Sequence, residues 1–298
     1  MQRESRAHFR WFTFGVASMV VASGVVVGAS LAGASTKGEY NAAAANLVPS
    51  AYKGTTLQVA TDATYPPDES MSGTTMIGFD VDLIEAIATT LNVKVNENNV
   101  TFATIIGGID SGRYQIGNSS FTDNKLREKS VNFVDYFQAG EGVYAKSTAT
   151  AKFTGLKSFC GLTVAVETGT TEQTDANNTA KTCPSSKKLT VLTFPTQTEA
   201  NLAVSSGHAT FGFVDSQIAG FIVSTSKGLF KVDGNAIEVA PYGIATPKTA
   251  NGLGLAKAIQ AAVKVLIANG TYHAILAKWG VTGGALTASK IVLNGALS

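Results

Sequence analysis

Short apolar strand-like runs alternating with helical patterns predict an α/β fold with mainly parallel sheets. Three observations carry this reading. Strand signals at Leu57–Thr61, Leu162–Val166, Leu189–Phe194 and Phe211–Val214 are each followed, after a polar loop, by residues with helical spacing. The chain has 298 residues and is 45% hydrophobic, enough for a core in one large or two medium domains. Two further stretches, Val131–Phe137 leading into Gly142–Ala145, and Tyr242–Ala245, are extended and read as crossing segments.

From the N-terminus, Arg3, Arg6 and Arg10 precede an apolar run from Trp11 to about Leu31, and Ala32-Gly33-Ala34 is a small-residue cleavage pattern. Residues 1–34 therefore read as a signal peptide of an exported chain, placed in the periplasm or on the outer face of the cell membrane. Leu31-Ala32-Gly33 would form a lipoprotein signal if cysteine followed, but Ala34 stands there. The run is also long enough to span a bilayer, so an uncleaved anchor is the alternative. The alanine-rich stretch 35–54 reads as a linker.

The whole chain carries 23 Lys+Arg against 21 Asp+Glu, and without the leader's three arginines and Glu4 the two balance at 20 each. Such a balance argues against a nucleic-acid or polyanion partner. Cys160 and Cys183 are the only cysteines. In an oxidising compartment an even pair is most simply a disulfide, worth roughly 3 kcal/mol by chain entropy; two free buried thiols are the alternative. No cysteine pair has ligand spacing, and His8, His208 and His273 are the only histidines, so neither a metal site nor a cofactor is expected.

The strand Leu57–Thr61 ends at Asp62, and Asp62 to Pro67 forms a proline-stiffened loop holding Tyr65. A helix opens at Gly78-Phe79-Asp80 and runs to about Leu91, with Val81, Ile84, Ala88 and Leu91 on one face and Asp80 as its N-cap. Val93–Val95 reads as a strand and Phe102–Ser111 as a helix. The stretch Gly117–Arg127 then places Ser119, Ser120 and Thr122 in a loop between a short strand and a first helical turn at Lys125–Lys129. Helix N-termini favour anions, and arginine's planar fork fits a carboxylate, so this loop reads as a carboxylate cradle. The alternative is a capped helix with a solvated Arg127. Only Arg113 and Arg127 lie outside the leader, which suggests a geometric need for arginine at 127.

Beyond the cradle, Glu167-Thr168-Gly169-Thr170-Thr171 follows the strand Leu162–Val166 and opens a polar helix, Gln197–Ser205 is a helix, and Phe211–Val214 ends at Asp215. Two helices, Leu253–Ala268 and Thr271–Trp279, close the chain. Ligands of α/β sheets sit beyond the carboxyl ends of strands. Asp62 and Tyr65, Ser120 and Arg127, Thr170 and Thr171, and Asp215 all stand at such ends, which predicts one shared site.

With Tyr65-Pro66-Pro67, Gly78 to Leu83, Ser119 to Arg127, Gly169-Thr170-Thr171, Asp215, Gly270-Thr271-Tyr272 and Lys278-Trp279-Gly280 in this order, the chain resembles the polar amino-acid substrate-binding proteins of ABC importers (family 3 type) from about Leu57 to Val281. The resemblance implies a two-lobed, type II periplasmic-binding-protein fold. Lobe 1 would combine 55–144 with 243–283, lobe 2 would be 145–242, a two-strand hinge would join them, and 284–298 would be a tail. It implies a monomer that closes on an amino acid and delivers it to ABC permease subunits. Arg127 would hold the α-carboxylate, helped by Ser120 or Thr122 and the amides near Thr170 and Thr171. Asp215 would take the α-ammonium, with the Ser119 carbonyl and the Thr122 hydroxyl, and Tyr65 and Phe102 would flank the side chain. Asp62 and Glu167, both acidic, would face the distal end and favour arginine, lysine or ornithine; glutamine or asparagine is the alternative, and Glu167 turned to solvent would weaken the case. An exported dehydratase on this fold, with Glu167 as its acid, and a membrane-anchored receptor ectodomain are the competing classes; neither a histidine nor a cysteine stands near the site to support catalysis.

Overall fold

The structure, a computed structural model, describes residues 35–296; the expected signal peptide lies outside the described residues. The stretch read as a linker is instead part of the folded body. It forms α1 (Ala42–Ala45), whose first turn is capped by Asn41 Oδ1 accepting from the Ala44 N–H at 3.0 Å. Ala44 and Val48 are buried in the main core. Composition misleads here because a four-alanine run with a good cap is also a sound helix.

The remaining elements follow in chain order: β1 (Thr56–Thr61), β2 (Thr64–Tyr65), β3 (Glu69–Ser72), β4 (Thr75–Ile77), α2 (Phe79–Leu91), β5 (Lys94–Asn99), α3 (Ile105–Asp110), β6 (Ile116–Gly117), β7 (Val131–Lys146), β8 (Thr163–Glu167), α4 (Thr171–Thr182), β9 (Thr190–Phe194), α5 (Gln197–Ser206), β10 (Phe211–Asp215), α6 (Ser216–Thr225), β11 (Phe230–Val232), β12 (Ile237–Pro247), α7 (Ala250–Ala268) and α8 (Thr271–Trp279). The sequence reading passes over β2, β3 and β4, which form a separate antiparallel sheet behind the proline loop.

The main sheet runs β5-β1-β6-β12-β7-β10-β8-β9, with β11 also on β7. Two parallel sets, β5-β1-β6 and β10-β8-β9, flank an antiparallel centre of β12 and β7. The segments expected as two crossings are these central strands. The 16-residue β7 pairs with β12 along its first part and with β10 and β11 along its last. A continuous ladder thus links two lobes, each with its own core.

In the first lobe α2, α7 and α8 pack on one face, burying Phe79, Leu83, Ile84, Ile259, Val263, Tyr272 and Leu276. Asp82 Oδ2 ties α8 to α2, accepting from Trp279 Nε1 at 2.7 Å and from Lys278 Nζ at 2.6 Å. Asp80 does not cap α2 as expected. Gly78 occupies the N-cap position at φ 152°, where a side chain would collide with the Asp68 backbone, so Asp80 falls within the first turn. Residues expected as a tail lie along β7, with Ile291 buried and Asn294 Oδ1 accepting from the Phe133 N–H at 2.8 Å. In the second lobe Phe159, Phe211, Phe213 and Val166 form one buried cluster and Ala200, Val204, Val214 and Ile218 another. The disulfide is formed between Cys160, ahead of β8, and Cys183, the C-cap of α4, at a Cα separation of 5.4 Å.

Candidate functional site

All eleven residues singled out at the strand ends line one cleft between the lobes: Asp62, Tyr65, Phe102, Ser119, Ser120, Thr122 and Arg127 from the first, and Glu167, Thr170, Thr171 and Asp215 from the second. Counting its mouth and the open solvent there, the space between the lining atoms is about 300 Å³. Glu69 and Glu172 complete the lining. Sequence reasoning misses both. Glu69 sits on the small sheet that the sequence reading passes over, and Glu172, in the first turn of α4, reads as an ordinary acid at a positive helix end.

Arg127 is placed by packing and by backbone. Its guanidinium carbon lies 5.4 Å from the Phe102 ring centre and 5.3 Å from that of Phe121, and the two rings stack at 4.5 Å. Nη1 donates to the Thr122 carbonyl at 2.8 Å, and Nη2 reaches across the cleft to the Gly169 carbonyl at 2.9 Å. Among the described residues no carboxylate lies within ion-pair distance of it. Burial lowers its pKa to about 10, with Glu172 and Asp215 acting to raise it, so it stays charged at neutral pH.

The expected helix after the cradle is a single 3-10 turn, Arg127–Lys129. Asn124 Oδ1 accepts from the Leu126 and Arg127 N–H groups, closing a tight turn, and the chain enters β7 at Val131 with no room for more. The positive helix end comes from the other lobe. α4 starts at Thr171, with Thr170 Oγ1 accepting from the Gln173 N–H at 3.1 Å. Thr122 and Thr171 touch across the cleft, hydroxyl to hydroxyl, at 3.3 Å.

The Ser120 hydroxyl does not point where the resemblance implies, and the Ser119 hydroxyl, whose carbonyl was the implied contact, is likewise engaged by the protein. Ser119 Oγ donates to Glu69 Oε1 at 2.8 Å, and Ser120 Oγ donates to Asp68 Oδ2 at 3.0 Å. Asp80 Oδ2 accepts from the Ser120 N–H at 2.8 Å and also takes the Tyr136 hydroxyl. A fully buried acidic layer of Asp68, Glu69 and Asp80 thus lies beneath the cradle and holds Ser120 at a strained φ of 49°. Burial drives all three carboxyls upward, Asp80 to about 6.

Asp62 is engaged within its own lobe: Oδ2 accepts from the Phe102 N–H at 2.8 Å and Oδ1 from the Thr64 hydroxyl at 2.7 Å. Glu167 does not turn to solvent. It is 2% exposed, its Oε1 has no partner, and burial, followed by the charge of Asp62, lifts it to about 10. Asp215 occupies the N-cap position of α6 yet makes no cap hydrogen bond; its Oδ2 accepts from the Tyr65 hydroxyl of the other lobe at 2.8 Å. Burial raises it to about 6 against the lowering effect of Tyr65, Tyr242 and Arg127. Gln217 adds a further bond across the cleft, donating to Asp68 Oδ2 at 2.9 Å. The lobes are closed on one another, and the cleft holds one cation among several carboxylates.

The family model of the bacterial extracellular solute-binding proteins, family 3, matches residues 57–282. The chain belongs to this family. It is 31% identical over 231 residues to the arginine-binding protein ArgT of Corynebacterium glutamicum, covering 76% of this chain and 75% of that protein. An ancestral arginine-binding protein bound to arginine superposes with a TM-score of 0.70 at 30% identity, covering 75% of this chain and 97% of the other. An ancestral amino acid-binding protein that is a precursor of cyclohexadienyl dehydratase does so at 0.68 and 29%, covering 75% and 95%. This solute-binding protein thus shares the mixed α/β architecture of amino-acid-binding proteins of ABC transporters, and ArgT and the arginine-bound ancestor are named as arginine-binding proteins.

Proposed function

We propose that this solute-binding protein captures a cationic amino acid, arginine or a close analogue, outside the cytoplasm and presents it to an ABC permease. One observation carries the reading: among the described residues Arg127 faces the cleft with no ion-pair partner, beside buried carboxyl groups of which Glu167 and Glu172 each keep an oxygen without a hydrogen bond. Buried charges need partners. An amino acid with a second positive group supplies an anion for Arg127, an ammonium for Asp215, and a distal cation for Glu167 beside Asp62. Tyr65 and the stacked Phe102 flank its stem, and the α4 amides near Thr170 and Thr171 add donors for its carboxylate. Ser119 and Ser120 contribute through their backbone, their hydroxyls being engaged below. The arginine-binding ArgT and the arginine-bound ancestral protein support arginine, while an ancestral arginine-binding protein bound to glutamine makes glutamine the ligand to compare. Closure turns on β7 and β12, with lobe boundaries near Tyr144 and Tyr242.

Calorimetry tests this directly: arginine gives heat, glutamine gives weaker binding, glutamate gives none, and Arg127→Ala lowers arginine affinity by about a hundredfold or more. Glutamate binding more tightly than arginine overturns the reading. One observation favours a second reading, a dehydratase: Glu167 is a buried carboxyl in the pocket, pushed up to about 10 chiefly by burial, with one oxygen lacking a partner among the described residues. Turnover of prephenate or arogenate by the purified protein would establish it; unchanged substrate is the expected result.

A further inference from the structure

Glu172 is assigned no ligand group in the scheme above. It is 2% exposed, on the first turn of α4, and lines the cleft with Asp215. Its Oε2 accepts only a long bond from the Thr171 hydroxyl, at 3.3 Å, and its Oε1 has no partner. A buried carboxylate oxygen in that condition either carries a proton or awaits a cation. We infer that Glu172 is a second anionic acceptor at the ligand's α-ammonium end, paired with Asp215, and that capture exchanges a proton held on Glu172 for that ammonium. The inference rests on the site reading above and adds a residue to it.

The surroundings of Glu172 decide the direction of exchange. Facing it are Asp215 at the end of β10, Glu167 at the end of β8, Glu141 on β7, Tyr65 on β2, and Arg127 as the one cation. Four acidic or phenolic neighbours against one guanidinium disfavour a carboxylate when the cleft is empty. Burial, then Asp215, raise the Glu172 carboxyl to about 8. An incoming ammonium reverses that balance and releases the proton to solvent. Asp215 already accepts from Tyr65, so beside the Ser119 carbonyl and the Thr122 hydroxyl Glu172 offers the ammonium a second charged acceptor, with an oxygen still free among the described residues.

The test is calorimetry of arginine binding at neutral pH in buffers of different ionisation enthalpy, which counts protons released. Wild type releases about one proton more than Glu172→Gln, the variant binds arginine about tenfold more weakly, and Glu172→Asp restores the release. Wild type titrated with glutamine, which brings the ammonium but no distal cation, still releases about one proton; this measurement needs no variant. Equal proton counts in wild type and Glu172→Gln, with arginine heat in both, overturn the role of Glu172 and leave arginine capture standing. Absence of arginine heat in wild type overturns the site reading itself, and this inference with it.

Discussion

At the scale of residues, the site is governed by which polar atoms are already satisfied. Asp62, Ser119 and Ser120 spend their hydrogen bonds on the protein, so they hold the cleft's shape. Arg127 and Glu167 keep capacity for a ligand. Glu167→Gln is therefore expected to lower arginine affinity by roughly 10- to 100-fold while leaving glutamine binding within about threefold, because an amide accepts from a guanidinium without the opposing charge. Competition titrations with the two amino acids would check it; equal loss for both would place Glu167 away from the distal group. Residue types at strand ends made Arg127 and Asp215 legible in the sequence. The inward turn of the two serine hydroxyls was not, because it depends on Asp68 and Glu69 arriving from a sheet that the sequence pattern conceals behind two prolines.

At the scale of elements, α4 is the piece most dependent on its ends. It buries only Glu172, Ala176 and Thr179, and its composition is polar, so packing contributes little. Thr170 caps one end and the Cys160–Cys183 bond ties down the other. Reducing that bond is expected to cost about 3 kcal/mol of stability and to weaken arginine binding, since the same helix carries Thr171 and Glu172. Thermal melts and titrations with and without reductant would show both effects; a stability loss with unchanged affinity would mean that the helix holds its place without the bond. The strands and helices that flank the cleft follow from periodicity and turn residues. The linker reading of 35–54 fails because a four-residue helix is too short to leave a periodic signal, and the helix expected after the cradle stops at one 3-10 turn because β7 begins at Val131.

At the scale of the whole molecule, the folded chain gathers carboxyl groups that hold protons they would lose in the unfolded chain. Glu172 rises from 4.5 to about 8, Glu167 and Glu141 from 4.5 to about 10, and Asp135 from 3.8 to about 8, each chiefly through burial. Above pH 4.5 the unfolded chain has released protons that the folded chain keeps, so folding stability falls as pH rises toward these folded values. Each such proton contributes a slope of about 1.4 kcal/mol per pH unit. The ligand-free protein is thus expected to melt highest at mildly acidic pH and progressively lower toward pH 10, and saturating arginine should flatten that decline. Melting temperatures rising with pH in the absence of ligand would contradict it. The contact between Trp279 and Asp82 bears on how such experiments are read. Trp279 is the only tryptophan among the described residues, and it is fixed between α8 and α2 and does not line the cleft. Indole emission therefore reports the intactness of the first lobe's outer layer and stays nearly silent when the cleft fills, so an optical readout of capture requires a dye placed at the rim, for instance at the exposed Leu126.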